Sequence, residues 1–212
     1  MKTLLSFANV CERIVVRIGE WSSFLILQLI AVIMYDVVSR KFQFIQQMVL
    51  NSPLYDYISP TKLQELEWHL HAVIFLLAFG YGYFCNTHVR VDLLREKMHP
   101  RRQAAIELIG LIAFALPYLL IMGFYTWEFA SSSFAQGEGS DALTGLPHRW
   151  VIKSFLLIGI CLMLMAVISI AIRLLAYLSG SPEIQERSAL ALKNLIPEAS
   201  TGSTALKGGN HD

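Results

Sequence analysis

Residues 81–110 read YGYFCNTHVRVDLLREKMHPRRQAAIELIG and lie between two apolar runs. The short stretch 88–103 within them holds Arg90, Arg95, Lys97, Arg101 and Arg102, a density of positive charge that belongs on the cytoplasmic flank of membrane helices. A basic turn between two apolar segments predicts a helical hairpin that crosses a bilayer and returns. Asp92 is placed to cap a short interfacial helix over 93–98, with Leu93, Leu94 and Met98 dipping into the leaflet, and Pro100 to open the next helix.

A spanning helix needs roughly 20 mostly apolar residues, at about 1.5 Å each, to cross about 30 Å of hydrocarbon. Working outward from the hairpin, four stretches meet that length: 21–39, 68–87, 104–127 and 151–172. Lipid offers backbone groups no water, so such stretches fold as helices. The expected architecture is an all-α integral membrane protein with four transmembrane helices plus amphipathic interfacial helices. Trp21, Trp68, Trp127 and Trp150 fall at or near the ends of the four stretches, where an amphipathic ring settles at headgroup level.

Composition agrees. Hydrophobic residues make up 55% of the 212 and charged residues 16%, which excludes an ordinary soluble domain. A net charge of +1 leaves no basic excess for nucleic acid. Cys11, Cys85 and Cys161 form no CxxC pair, so a disulfide scaffold, a thiol-redox enzyme and a cysteine zinc site are set aside. With the N-terminus inside, 12 of the 17 Lys and Arg residues fall on the inner side, which places both termini and loop 88–103 in the cytoplasm.

Three further segments frame the expected membrane domain, 19–178. In 1–18, Leu4, Leu5, Ala8, Cys11, Val15 and Ile18 recur on one helical face, which predicts an interfacial amphipathic helix; Glu12, Arg13 and Arg17 argue against a cleaved signal. The outer segment 40–67 carries Phe42, Ile45, Met48 and Val49 at helical spacing, then Ser59 and Pro60 as a helix start. Residues 179–212 read as a polar cytoplasmic tail, with Pro182 opening a short helix and disorder from about 197.

Charges buried deep in a membrane are costly and mark function, and here they lie near helix ends. Glu20, Asp36, Glu67, Glu107, Glu128, Lys153 and Arg173 are all within about two turns of a terminus. Local pairing explains Asp36 with Arg40 and Glu67 with His71, each four apart. His69 and His71 point to different helix faces, so one metal ion does not take both. A haem bridging His69 or His71 to His148 is the chemical alternative, against the expectation of no cofactor, no metal and no enzymatic activity. Ala78 and Gly82 provide a small-residue pair for close helix packing.

HVRVDLL at 88–94, the basic turn and IELIG at 106–110 resemble the signature of the small membrane subunit of tripartite ATP-independent periplasmic (TRAP) transporters. A second block is similar too: Ser133, Glu138 and Ser140, then GLPHRWVIKS at 145–154. The resemblance implies a bacterial inner-membrane, multi-pass protein with two partners, a large membrane subunit and a periplasmic substrate-binding protein, besides membrane lipids. It implies sodium-driven import of organic acids in which the large subunit moves the solute and the small one braces it. On this reading His88, Arg90, Asp92, Arg101 and Arg102 form the cytoplasmic motif, and Glu138, Ser140, Arg149 and Lys153 are the candidate partner contacts. The competing readings are a membrane haem-binding redox subunit and a generic four-helix assembly factor.

Overall fold

The protein is described by a computed structural model that covers residues 1–53, 55–87, 98–142 and 144–196, without the side chains of 56 and 57. His88, Arg90 and Asp92, most of the short helix expected at 93–98 and the tail from 197 lie outside the described residues. The described elements are helices: α1 (Lys2–Ser22), α2 (Phe24–Lys41), α3 (Gln43–Leu50), α4 (Tyr55–Ile58), α5 (Pro60–Phe84), α6 (Pro100–Gly110), α7 (Leu116–Ala135), α8 (Trp150–Ser179) and α9 (Pro182–Ala191).

Local chemistry sets most boundaries. Pro60, Pro100 and Pro182 each open a helix at its first turn, where the missing N–H costs nothing and the fixed φ is already helical. Asn86, at φ 54, ends α5: Thr87 N–H donates back to Gly82 O at 3.0 Å, the left-handed closure that Gly and Asn favour. Gly137, at φ 61, closes α7 in the same way, with Glu138 N–H on Ser133 O. Between α6 and α7 the helix does not stop but widens into one π-helical turn, Leu111–Ala115. Pro117 follows at once; its ring crowds the carbonyl four residues back, and a wider turn makes room for it.

Three continuous helical stretches are long and apolar enough to cross a membrane, Lys2–Lys41, Pro100–Ala135 and Trp150–Ser179. They contain the expected spans 21–39, 104–127 and 151–172. The expected span 68–87 falls on α5, whose 25 residues reach about 37 Å. Length is not what separates α5 from the three. Trp68, His69 and His71 sit where its apolar run begins, and Gly80 to Tyr83 where it ends. α5 is flanked by α1, α2 and α8, so its polar groups meet other helices of the protein.

α5 and α8 run in the same direction, with Leu76 facing Gly159 and Gly80 facing Leu162. A Cβ on Gly80 would stand 2.9 Å from the Leu162 carbonyl oxygen, and one on Gly159 3.0 Å from the Leu76 carbonyl oxygen. Lipid tails are as apolar as leucine, so helices inside a bilayer associate through such close van der Waals fit. The small residues that achieve it are Gly80 and Gly159. α7 runs opposite to α8, as Phe134 against Trp150 and Gly123 beside Ile160 show.

α1 is bound into this bundle rather than standing apart. Ala8, Cys11 and Val15 of its expected apolar face, and Gly19 in line with them, are buried toward α5 and α8, whereas Leu4 of that face is exposed; Ser169 Oγ donates to Ala8 O at 2.9 Å. Ser22 and Ser23 turn their hydroxyls back onto Gly19 O and Glu20 O, each at 2.6 Å, which competes with the helical ladder where α1 passes into α2. After α9 the chain tucks under the bundle, burying Leu192, Leu195 and Ile196 with Phe84, Ala104 and Leu174.

Candidate functional site

At the end of the bundle where α5 and α8 begin, the loop 136–149 is held down by one carboxylate. Glu65, on the second turn of α5, accepts from Leu146 N–H at 2.6 Å and from Ser140 Oγ. Ser59 leaves the start of α5 uncapped and reaches Thr144 O, 3.5 Å away. Within the loop, Ser140 N–H donates to Leu146 O at 3.1 Å and Arg149 N–H to Glu138 O at 2.9 Å. Gly145 is required by the tightness of the turn, since a Cβ there would lie 2.2 Å from Ser140 Oγ. His148 takes a left-handed φ of 62 just before α8 starts, a conformation that a loop keeps only when its surroundings fix it.

The charges of the loop pair with one another. Lys153, one turn into α8, donates to Glu138, and its ammonium lies 3.9 Å from the centre of the Phe129 ring on α7. Arg149 Nη1 is 3.2 Å from Asp141 Oδ2, but Asp141 is 95% exposed, so this contact contributes little. Burial pushes the Glu65 carboxyl up, yet hydrogen bonds from Ser140 and Leu146 and the charge of Arg149 outweigh it and hold the group below its ordinary value. The hydrogen bond from Lys153 lowers Glu138 likewise.

Of the residues singled out from sequence, the structure gathers Glu138, Ser140, Arg149 and Lys153 into this one cluster. Trp150 opens α8 and meets Phe134 edge to face at 5.2 Å. Trp21 is exposed at the end of α1; Trp68 and Trp127, also exposed, each stand about two turns inside a helix, Trp68 from the start of α5 and Trp127 from the end of α7. Arg101 and Arg102 lie in the first turn of α6, far along the bundle, with Arg101 donating to Gln185 of α9 at 3.3 Å. Asp36 and Arg40 pair at 2.9 Å as their spacing predicts, and Arg40 also reaches Pro60 O. Glu67 does not pair with His71: its Oε1 is buried without a partner among the described residues. His69 spends Nδ1 on Glu65 O at 2.5 Å and stacks on Trp68.

Two groupings escaped the sequence reading. One is the anchoring role of Glu65, visible there only as an acidic residue early in a helix. The other lies at the opposite end, where α5 and α8 finish: Arg173, 3% exposed, donates through Nη2 to Asn9 at 2.8 Å and to Glu12. Tyr83 OH donates to Glu107 of α6 at 2.9 Å, and Asn194 to Phe84 O at 3.3 Å. The ion pairs described thus bracket a midsection closed by glycines. Among known families, the model for tripartite ATP-independent periplasmic transporters, DctQ component, matches residues 29–176, from within α2 almost to the end of α8. No curated protein and no solved structure matches the chain.

Proposed function

The chain belongs to the DctQ component family of the tripartite ATP-independent periplasmic transporters, and from that premise we propose that it braces a larger subunit which carries organic acids inward on a sodium gradient. The family works as part of a three-component system, with a large membrane subunit and a periplasmic binding protein. One observation carries the bracing role. The fixed charges stand at the two ends, Glu65, Glu138 and Lys153 at one and Arg173 with Glu12 at the other, and between them α5 and α8 close on each other at Gly159 and, near the end of α5, at Gly80. A carrier needs polar groups at mid-depth that release and rebind an ion; such a packed interior supports rigidity instead.

In this proposal α5 is the fourth spanning helix, shielded by its neighbours. The Arg173 end and both termini face the cytoplasm, and the loop 136–149 faces the binding protein. The organic acid class rests on the resemblance of the 88–110 and 133–154 blocks. Reconstitution tests the reading: the chain alone in liposomes with a sodium gradient takes up no organic acid, and adding the large subunit and the binding protein restores uptake. Uptake by this chain alone above empty liposomes overturns it.

A further inference from the structure

α2, α5, α8 and α7 stand in a row, each packed on the next, with α1 laid across α5 and α8. Among the described elements α7 therefore packs on α8 alone, apart from the π-helical turn that leads into it. Its buried residues Leu119, Thr126, Ala130 and Ser133 form the side turned to α8. Ile121, Phe124, Tyr125, Glu128, Ser131 and Ser132 fall on the opposite side and are exposed.

Glu128 is the group on this face that lipid does not satisfy. It is two residues, about 200°, from both Thr126 and Ala130, so it points away from α8. Asp36 has Arg40, Glu107 has the Tyr83 hydroxyl and Glu138 has Lys153. The Glu128 carboxylate has no such partner among the described residues, and Ser131 Oγ donates to its backbone carbonyl instead. Lys153 lies over Phe129, on the α8 side, and is spent on Glu138. Depth makes the vacancy costly. Leu76 faces Gly159 on parallel helices, and Trp68 is eight residues before the one as Val151 is before the other, so Trp68 and Trp150 mark one level of the surface. Phe134 meets Trp150 at that level. Glu128, with Trp127 before it, lies six residues farther in, about 9 Å. Side chains lean toward the N-terminus of their helix, which on α7 carries this carboxylate deeper rather than back to the surface. An ionised group at such a depth calls for a partner.

Three occupants compete for the face, and charge separates them. A second copy of this chain docked through the same face sets Glu128 against Glu128, like against like. A phospholipid offers an anionic phosphate, and offers it at the surface. A membrane helix with a cationic side chain fits both the depth and the sign, and Ser131 and Ser132 are small enough to let its backbone come close. Resting on the bracing role above, we propose that this face of α7 receives a helix of the large membrane subunit, which covers Ile121, Phe124 and Tyr125 and brings an arginine or lysine to Glu128.

Co-purification from membranes that hold both subunits tests this, with crosslinking from a photoreactive phenylalanine analogue in place of Tyr125 as a second readout. Tagged wild type is expected to bring down the large subunit; if it does not, the bracing role itself fails. At an equal amount of this chain in the membrane, Glu128→Lys is expected to lower the recovered large subunit by about tenfold or more and Glu128→Gln by about threefold. Glu128→Gln carries no charge into lipid, so it keeps the test decisive where Glu128→Lys does not insert. Wild-type recovery with Glu128→Gln overturns the proposed face and leaves the bracing role standing. The analogue at 125 is expected to crosslink to the large subunit. Where the two subunits co-purify, crosslinks from 125 only to a second copy of this chain, or only to lipid, overturn the proposed face as well.

Discussion

The carboxylate of Glu65 accepts the backbone N–H of Leu146 at 2.6 Å, across 81 residues of sequence, and so fastens the loop before α8 to the first turns of α5. Charge-assisted bonds to a backbone amide are worth more than neutral ones, so Glu65→Ala is expected to cost about 1.5 to 3 kcal/mol locally. Hydrogen exchange at Leu146 and the loop amides around it checks this: they lose protection in the variant while the amides of the α8 midsection do not.

The same carboxylate fixes a pH response. Its folded pKa lies below the ordinary value of 4.5, so its contribution is fully present above that pH and is lost as pH falls through the lower, folded value. Glu138 shifts in the same direction. Loop protection is expected to be flat from neutral pH down to about 5 and to fall only below about 4.5, and the fall should disappear in Glu65→Gln if Glu65 rather than Glu138 controls it.

Gly80→Ala places a methyl 2.9 Å from the Leu162 carbonyl oxygen, a backbone atom that cannot swing away. The expected loss is about 1 to 3 kcal/mol, seen as a lower unfolding temperature in detergent. Gly110→Ala is the control, because nothing lies within 4 Å of its added Cβ. There the expected change is neutral or a gain of up to about 1 kcal/mol from helix propensity.

Arg173 and Glu12 are expected to behave as a coupled pair. Removing the arginine alone strands a carboxylate, whereas removing both leaves an apolar contact. A double-mutant cycle with Arg173→Met and Glu12→Leu is expected to give a coupling energy of about 1 to 3 kcal/mol, with the double variant more stable than Arg173→Met alone. Additive losses would mean that the pair is solvated and inert.

Orientation and docking are read in cells. In a background without Cys11, Cys85 and Cys161, a cysteine at position 138 is expected to label from the periplasm and one at position 101 to be protected. Charge reversal at the 95% exposed Asp141 is expected to raise the binding-protein concentration needed for transport, with complex assembly unchanged, because exposed rim charges mainly steer encounter. Lys153 holds Glu138 and Phe129 within this chain, so Lys153→Ala is expected to loosen the loop first and docking through it.

What the sequence disclosed were features written locally. Ser59-Pro60, Pro100 and Pro182 mark helix starts because proline at a first turn acts within one or two residues, and the Asp36–Arg40 pair follows from a spacing of four. The apolar face of α1 was readable as a face, but the helices that cover it were not. Arg173 with Glu12, and Glu65 with Leu146, join residues 161 and 81 apart, and no local pattern encodes that distance. Gly80 was overlooked in favour of Ala78 and Gly82, since a run of small residues does not say which one meets a neighbour. Leu192, Leu195 and Ile196 follow a polar stretch and read as tail; only the open end of the bundle gives them a place to be buried.

That late burial orders events during synthesis. Asn194 binds Phe84, so the hook after α9 closes on a helix finished more than a hundred residues earlier. A chain that ends before α9 lacks Leu192, Leu195 and Ile196, so the cluster around Phe84, Ala104 and Leu174 is left incomplete on that side. The end of the bundle therefore reaches its final packing only when the last described residues have been added to a helix end made far earlier in the chain.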